Sequence, residues 1–495
     1  MQPRVPADLG YYDLRIADVM AEQAALARRF GFEGFAVYYY WFAGHRLLER
    51  PVDNLLERPD IDFPFFLCWA NENWTRRWDG AENEVLMKQE HSSEDDLAMI
   101  ADIARYMQDP RYVRIGGKPL FVVYRPGLLP EVSRTLARWR AHCREAGIGE
   151  IVIGAVVSFG YSSAAADGFD LEIEFPPHNL TKLRQVTSDV MSDAKGFSGH
   201  VFDYDSYVEE AAKPGRDGTC PQIRGIMPQW DNTARRGQRA TIFHGSTPAR
   251  FQRLFEEITE DTLERNAPDH QVVIVNAWNE WAEGTYMEPD ASWGHAYINA
   301  ASRALTGKRH GRIAILGARR QSLSLETADL EWFDTAGGTG DLTEVPESIS
   351  ASPIGQMLAM GRQLLDFDLV LTGQAVPDEP DAILSLAHRF YMDEDLGLLM
   401  LGTAREPAFE DGRKAILLSE LGAQLSARLE DGDSRTCSSI VMRTGVVRPV
   451  LAKAPSVLGL WCDDPERTSF LVSSLPVLAR SIGYRVAHEE NGADD

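Results

Sequence analysis

Strand-like apolar runs recur along the first part of this chain, with amphipathic segments between most of them. The runs are Phe32–Phe42, Phe63–Leu67, Pro119–Tyr124, Ile151–Val157, Leu171–Phe175, Ile223–Met227 and Val272–Val275. Helices are predicted over Ala17–Phe30, Leu47–Leu56, Ser92–Met107, Glu131–Ala146, Thr247–Glu264 and His295–Leu305. Ser92 followed by Glu94, Asp95 and Asp96 suits a helix start, where a hydroxyl can cap free N–H groups and the dipole favours negative charge. Strand and helix alternating over roughly 250 residues argue for a parallel sheet, and for a (β/α)8 barrel before an open doubly wound one. Neither GxGxxG nor GxxxxGK[ST] follows a strand, so nucleotide-binding folds gain no support. No strand precedes Gly10-Tyr11-Tyr12. The expected fold is therefore α/β: a (β/α)8 TIM-like barrel lacking its first strand over residues 1–308, then a smaller α/β domain over 309–495.

The apolar run Val272–Val275 reads as a strand covered on both faces, and it opens into the richest polar cluster of the chain: Asn276, Trp278, Asn279, Glu280, Trp281 and Glu283. Loops at the carboxyl ends of parallel strands are where such folds keep their chemistry. Two carboxylates three residues apart share one face if the backbone coils, with Cβ atoms roughly 5–6 Å apart. That pairing suits glycosidic bonds, where one carboxyl protonates the leaving oxygen and the other serves as base or nucleophile. Other strand ends carry related clusters: Tyr38, Tyr39, Tyr40 and Trp41; Trp69, Asn71, Glu72, Asn73 and Trp74; Tyr124 and Arg125; Glu174 with His178 and Asn179; Trp230, Asp231 and Asn232. In a barrel these converge on one mouth, giving an aromatic, acid-lined cleft for a sugar.

Charge narrows the partners. With 74 acidic against 50 basic residues, a net −24, the surface repels nucleic acid and anionic lipid. The five cysteines, Cys68, Cys143, Cys220, Cys437 and Cys462, form no CxxC pair and read as reduced thiols, with no zinc site. No apolar run reaches the ~18–20 residues of a membrane span, and MQPRVPADLG lacks the plan of a signal peptide. A cytoplasmic location and no metal or organic cofactor are the expectations.

The segments GYYDLR (Gly10–Arg15), YYYWF (Tyr38–Phe42), FPFFLCWANENWTRRWDG (Phe63–Gly80), GKPLFVVYRP (Gly117–Pro126) and NAWNEWAEGTYMEP (Asn276–Pro289) also carry a resemblance. Over about residues 8–305 the chain resembles the WbsX-type proteins of bacterial surface-polysaccharide loci, a group like glycoside hydrolase family 99. The resemblance implies a TIM barrel, no cofactor, a glycan substrate such as O-antigen or capsule, and association with polysaccharide-assembly enzymes. It also implies that Glu280 is the base and Glu283 the acid of a retaining reaction through a 1,2-anhydro sugar.

After Gly311 the character changes. Ile313–Leu316, Leu369–Leu371, Leu398–Leu401 and Ser439–Met442 read as strands, Phe470–Ser481 as a closing helix, and Glu344–Pro353 as weakly structured. Cys437–Leu451 and Ser473–Val486 resemble the end of rhamnan-synthesis-type domains. Asp366-Phe367-Asp368 opens an apolar strand, whereas a metal-nucleotide DxD would end one, so it reads as structural. Gly337–Gly340 reads as an ordinary glycine loop. Three functions follow as expectations: a glycan-cleaving enzyme, a glycosyltransferase of polysaccharide assembly, or a non-catalytic glycan-binding protein.

Overall fold

The structure is a computed structural model describing residues 4–308 except 77–80, 192–195 and 216–219, and beyond 308 separate stretches, chiefly 311–317, 322–325, 328–334, 367–373, 396–401, 404–405, 435–436, 439–443 and 485–489. The chain divides into two compact units, Met1–Glu288 and Pro289–Asp495.

The first unit is built on seven parallel strands: β1 (Phe35–Phe42), β2 (Phe65–Trp69), β3 (Lys118–Val123), β4 (Val152–Val157), β5 (Leu171–Glu174), β6 (Gln222–Ile226) and β7 (Val273–Val275). They pair in chain order, β1 against β2 and so on to β6 against β7. Each lies close to its predicted position. β2 to β4 and β6 are nearly all buried, as expected where both faces are covered. β7 differs. Its three residues are only half-buried because it is an edge of the sheet, and among the described residues no strand joins it to β1, the far member of the parallel set, which pairs on its other side with the short antiparallel strand His45–Leu47.

The sheet curls, and side chains meet across its open side. Trp278, just beyond β7, packs against Phe35 of β1 and against Phe32, with ring centroids 5.3 and 5.7 Å apart. Residues at the amino end also tie into the β7 side: the Tyr12 hydroxyl donates to Glu288 over 2.8 Å, and Arg4 reaches Gln229.

The main helices of this unit are α1 (Ala17–Arg29), α2 (Arg50–Glu57), α3 (Ser93–Met107), α4 (Val132–Glu145), α5 (Tyr204–Ala211) and α6 (Pro248–Arg265). Ser92 caps α3, its hydroxyl oxygen accepting the Asp95 N–H at 3.1 Å, and Thr247 caps α6 in the same way at 3.3 Å. Such a cap contributes about 1 kcal/mol. Trp139 of α4 and Met99, Ile100 and Ile103 of α3 join the strand residues in one core.

In the second unit a helix, α7 (Ala296–Thr306), precedes a mixed sheet. Its strands run in the order Leu323–Ser324, Ala328–Asp334, Gly311–Gly317, Leu369–Gly373, Ser439–Arg443, Leu396–Leu401, Arg485–Glu489. The four strands predicted here all appear. The sequence-based boundary at 308 differs from the division at 288 because α7 is bound to this sheet: Arg303 pairs with Asp368, and Asn299 donates to the Phe367 carbonyl. Asp368 also accepts the Arg312 N–H at 2.7 Å, a structural engagement for this end of the DxD sequence. The helix predicted at 470–481, the segment 344–353, the glycines at 337–340 and most of the rhamnan-synthesis-like stretch lie outside the described residues.

Candidate active site

Beyond β7 the chain forms a tight hairpin. Asn279–Glu280 (β8) pairs antiparallel with Thr285–Tyr286 (β9), Glu280 opposite Thr285, around a single 3-10 turn at Trp281–Glu283. Gly284 closes the turn at φ 64°, a left-handed conformation that glycine adopts without strain. A Cβ there would also meet the Asp231 carbonyl oxygen at 2.5 Å. The hairpin thus brings Glu280 and Glu283 side by side, as the three-residue spacing predicts.

Both carboxylates meet one cation. Arg235, in the short helix Thr233–Arg236, donates to Glu283 Oε1 over 2.5 Å and to Glu280 Oε1 over 3.3 Å. Burial pushes the Glu280 carboxyl up to about 7, and the Glu283 charge adds to this while Arg235 opposes it. Burial also raises Glu283, against Arg235 and Arg236, with Glu72 raising it further.

The aromatic strand ends divide between two faces. In β1, side chains alternate, and the register sets Tyr38 beside Cys68 and Tyr39 beside Trp69. Tyr38 and Tyr40 lie towards the acid pair: burial raises both hydroxyls, Tyr40 to about 12, and the Glu280 charge adds to each shift. Tyr124 belongs to the same group, raised by burial and by Glu72 and Glu283, with its ring 6.1 Å from Tyr38. Trp74 packs edge-on to Tyr40 at 5.4 Å.

Tyr39, Trp41 and Trp69 are corrections to the expected cleft. They face the helices: the Tyr39 hydroxyl donates to Asp102 and the Trp41 indole to Asp95, each over 2.8 Å, and Trp69 packs 6.0 Å from Trp139. All three are buried. A two-residue period allows only one of two neighbouring side chains to face inwards.

The remaining candidates serve mostly as scaffold. Asn71 is fully buried, its amide clamping the Arg125 backbone through bonds of 2.9 and 2.7 Å. Arg125 pairs with Glu72 and lies 4.1 Å from the centre of the Phe159 ring. Trp230 is buried, edge-on to His178 at 5.3 Å. Asp231 binds Thr233 and donates its own N–H to the Glu283 carbonyl, bracing the hairpin. Asn232 accepts the Thr241 N–H at 2.7 Å. Glu174 accepts from buried Arg224 at 3.0 Å. Trp278 fills the open side of the sheet.

Asn276 and Asn279 belong to the same polar cluster as the pair but do not donate to it. Their amides go elsewhere, to the Pro176 carbonyl at 2.8 Å and the Tyr12 hydroxyl at 3.2 Å. Arg235, Tyr12 and Glu288 are site residues absent from the expected set. Arg235 and Tyr12 come from distant segments and leave no local signal, whereas Glu288 lies only five residues beyond Glu283 in the same acidic, aromatic stretch. Among the described residues no three His, Cys, Asp or Glu side chains are placed to hold a metal ion.

The family model described as Glycosyltransferase WbsX matches residues 1–301. The chain belongs to this WbsX family. Two proteins called WxcX, from Xanthomonas campestris pv. campestris strains B100 and ATCC 33913, are each 47% identical over 307 residues, covering 62% of this chain and 44% of theirs. The chain thus spans less than half the length of those relatives. Among solved structures, a glycoside hydrolase-like protein aligns with TM-score 0.42 and 14% identity, over 61% of this chain and 89% of its own. A GH99 endo-alpha-mannosidase from Bacteroides thetaiotaomicron aligns with TM-score 0.40 and 13% identity, over 61% and 87%. Among the described residues no helix is long and apolar enough to cross a membrane.

Proposed function

We propose that this WbsX-family chain is a carbohydrate-active enzyme that acts on the glycosidic bonds of a bacterial surface polysaccharide, with Glu280 and Glu283 as its acid–base pair. The observation that carries the reading is the hairpin setting both carboxylates against one guanidinium, in surroundings that raise the proton affinity of each. An acid working near neutral pH needs such a raised carboxyl, and two neighbouring carboxylates allow one to hold a proton while the other is ionised. Tyr38, Tyr40, Tyr124 and Trp74 supply hydroxyls and ring faces suited to a sugar. The curled sheet is read as a (β/α)8 barrel short of one strand, with this loop at its mouth, and the residues after 308, together with α7, as a separate small domain.

Retention of anomeric configuration, with Glu280 as base and Glu283 as acid, is the form of the reaction implied by resemblance to glycoside hydrolase family 99. Replacing either residue by Gln keeps the shape and removes the proton chemistry. Turnover of a cognate polysaccharide should then fall at least ~100-fold while glycan binding persists. Full activity in both variants would refute the assignment.

The family description favours a second reading, transfer of the sugar to an acceptor other than water. Product analysis decides between them: free reducing ends with no dependence on an added acceptor mean hydrolysis, whereas acceptor-dependent chain extension means transfer.

A further inference from the structure

Arg235 does not share itself equally between the two carboxylates. One nitrogen lies 2.5 Å from Glu283 and the other 3.3 Å from Glu280. A short charge-assisted bond is the stronger one and favours the ionised form of its acceptor. Among the described residues Glu280 has no compensating donor. The Asn276 and Asn279 amides are committed to Pro176 and Tyr12, and among the described residues Arg235 is the only side chain hydrogen-bonded to Glu280.

Of the other charged groups around the pair, one acts in the same sense and one against it. Arg236, beside Arg235, lowers the proton affinity of Glu283. Glu72, from the loop after β2, raises it but is itself paired with Arg125. Tyr38 and Tyr40 of β1 and Tyr124 after β3 keep their protons, since burial raises all three hydroxyls. They bring no negative charge to either glutamate.

Resting on the reading of Glu280 and Glu283 as the working pair, we propose that Arg235 sets its protonation order in the ligand-free protein: Glu283 ionised, Glu280 carrying the proton. That is the reverse of the order in which Glu283 is the acid and Glu280 the base. For that reaction, a bound glycan must draw Arg235 off Glu283, so that the proton moves from Glu280 to Glu283. Arg235 is then a positioning residue through which substrate entry arms the site. Burial and like charge raise Glu280, and Arg235 opposes that rise from farther away than it acts on Glu283.

The test needs no substrate. The full chain, labelled with carbon-13 at the glutamate side-chain carboxyl, is titrated by NMR from pH 4 to 9, and Glu280→Gln and Glu283→Gln assign the two resonances. Because the carboxyls interact, the steps belong to the pair, and the resonance that moves most in the upper step marks the proton's site. The expected result is an upper step near pH 7 centred on the resonance that Glu280→Gln abolishes. Arg235→Met should move that step up by about one unit and carry Glu283 upward with it. Arg235→Lys, which keeps the charge, should retain the order. An upper step centred on the resonance lost in Glu283→Gln, or titration unchanged in Arg235→Met, would overturn the proposal. If Arg235→Met does not fold, the assignment in the parent chain and Arg235→Lys still decides. Failure here leaves the activity loss of the Gln variants standing, whereas failure of the functional reading leaves the titration order intact.

Discussion

The Trp281 indole N–H donates to Glu288 Oε2 over 2.8 Å, from the turn that separates Glu280 and Glu283. The same carboxylate, almost fully buried, accepts from the Tyr12 hydroxyl at 2.8 Å and from Gln23 at 2.7 Å. Trp281 also stacks on Tyr286 across the hairpin, with centroids 3.8 Å apart. Glu288 therefore joins α1, the amino-terminal segment and the turn holding the acid pair. Removing it leaves three donors without their acceptor, at about 1–3 kcal/mol for each one that stays buried. Glu288→Ala should lower Tm by several degrees in a thermal scan and reduce turnover together with stability. Glu288→Gln, which keeps one acceptor oxygen, should lose less of both.

Neighbouring tyrosines of β1 should respond in opposite ways. Tyr39→Phe removes the bond to Asp102 and should cost about 1 kcal/mol in a denaturant titration, with turnover unchanged. Tyr40→Phe, on the side of the acid pair, should leave Tm within a degree or so and change turnover or glycan affinity. Equal effects of the two on turnover would contradict the division of faces.

The same division separates two tryptophans. Trp69→Ala opens a cavity against Trp139 and should cost about 3–5 kcal/mol of stability. Trp74 is only partly buried, so Trp74→Ala should spare the fold. Its loss should instead weaken glycan binding, measured by calorimetry, by the ~0.5–1.5 kcal/mol of a ring stack.

Which of these features the sequence discloses follows from the range of the forces involved. Strands such as Val152–Val157 and helices such as Ser93–Met107 are written in local periodicity and caps, and each falls within a few residues of its predicted bounds. The adjacency of Glu280 and Glu283 is also local, since Gly284 lets the turn close within the hairpin. Facing is less local. The run Tyr38-Tyr39-Tyr40-Trp41 is aromatic throughout, so composition hides its two-residue alternation until the register with Cys68 and Trp69 is known. The charge environment of the pair is the least local of all. Arg235 and Tyr12 lie 45 or more residues from Glu280 in sequence, and nothing in either segment reveals that one takes Glu283 and the other diverts Asn279.

The Glu280 carboxyl also has a consequence for stability. Burial and Glu283 raise it from its ordinary 4.5 to about 7. The folded protein then holds the proton more tightly than the unfolded chain, which binds fewer protons between those values. Stability present below the ordinary carboxylate range is therefore lost as pH rises through about 7, and the loss levels off above it. With 34% of the Glu280 side chain open to solvent, water screens part of the effect, so its direction is what matters. Glu283 and Glu288, both raised by burial, add losses of the same sign. Glu280→Gln removes the titrating group while keeping an amide oxygen for Arg235. Its Tm relative to the parent should therefore rise between pH 5 and pH 8 in thermal scans at constant ionic strength. Parallel Tm curves over that window would mean that Glu280 titrates in the ordinary carboxylate range.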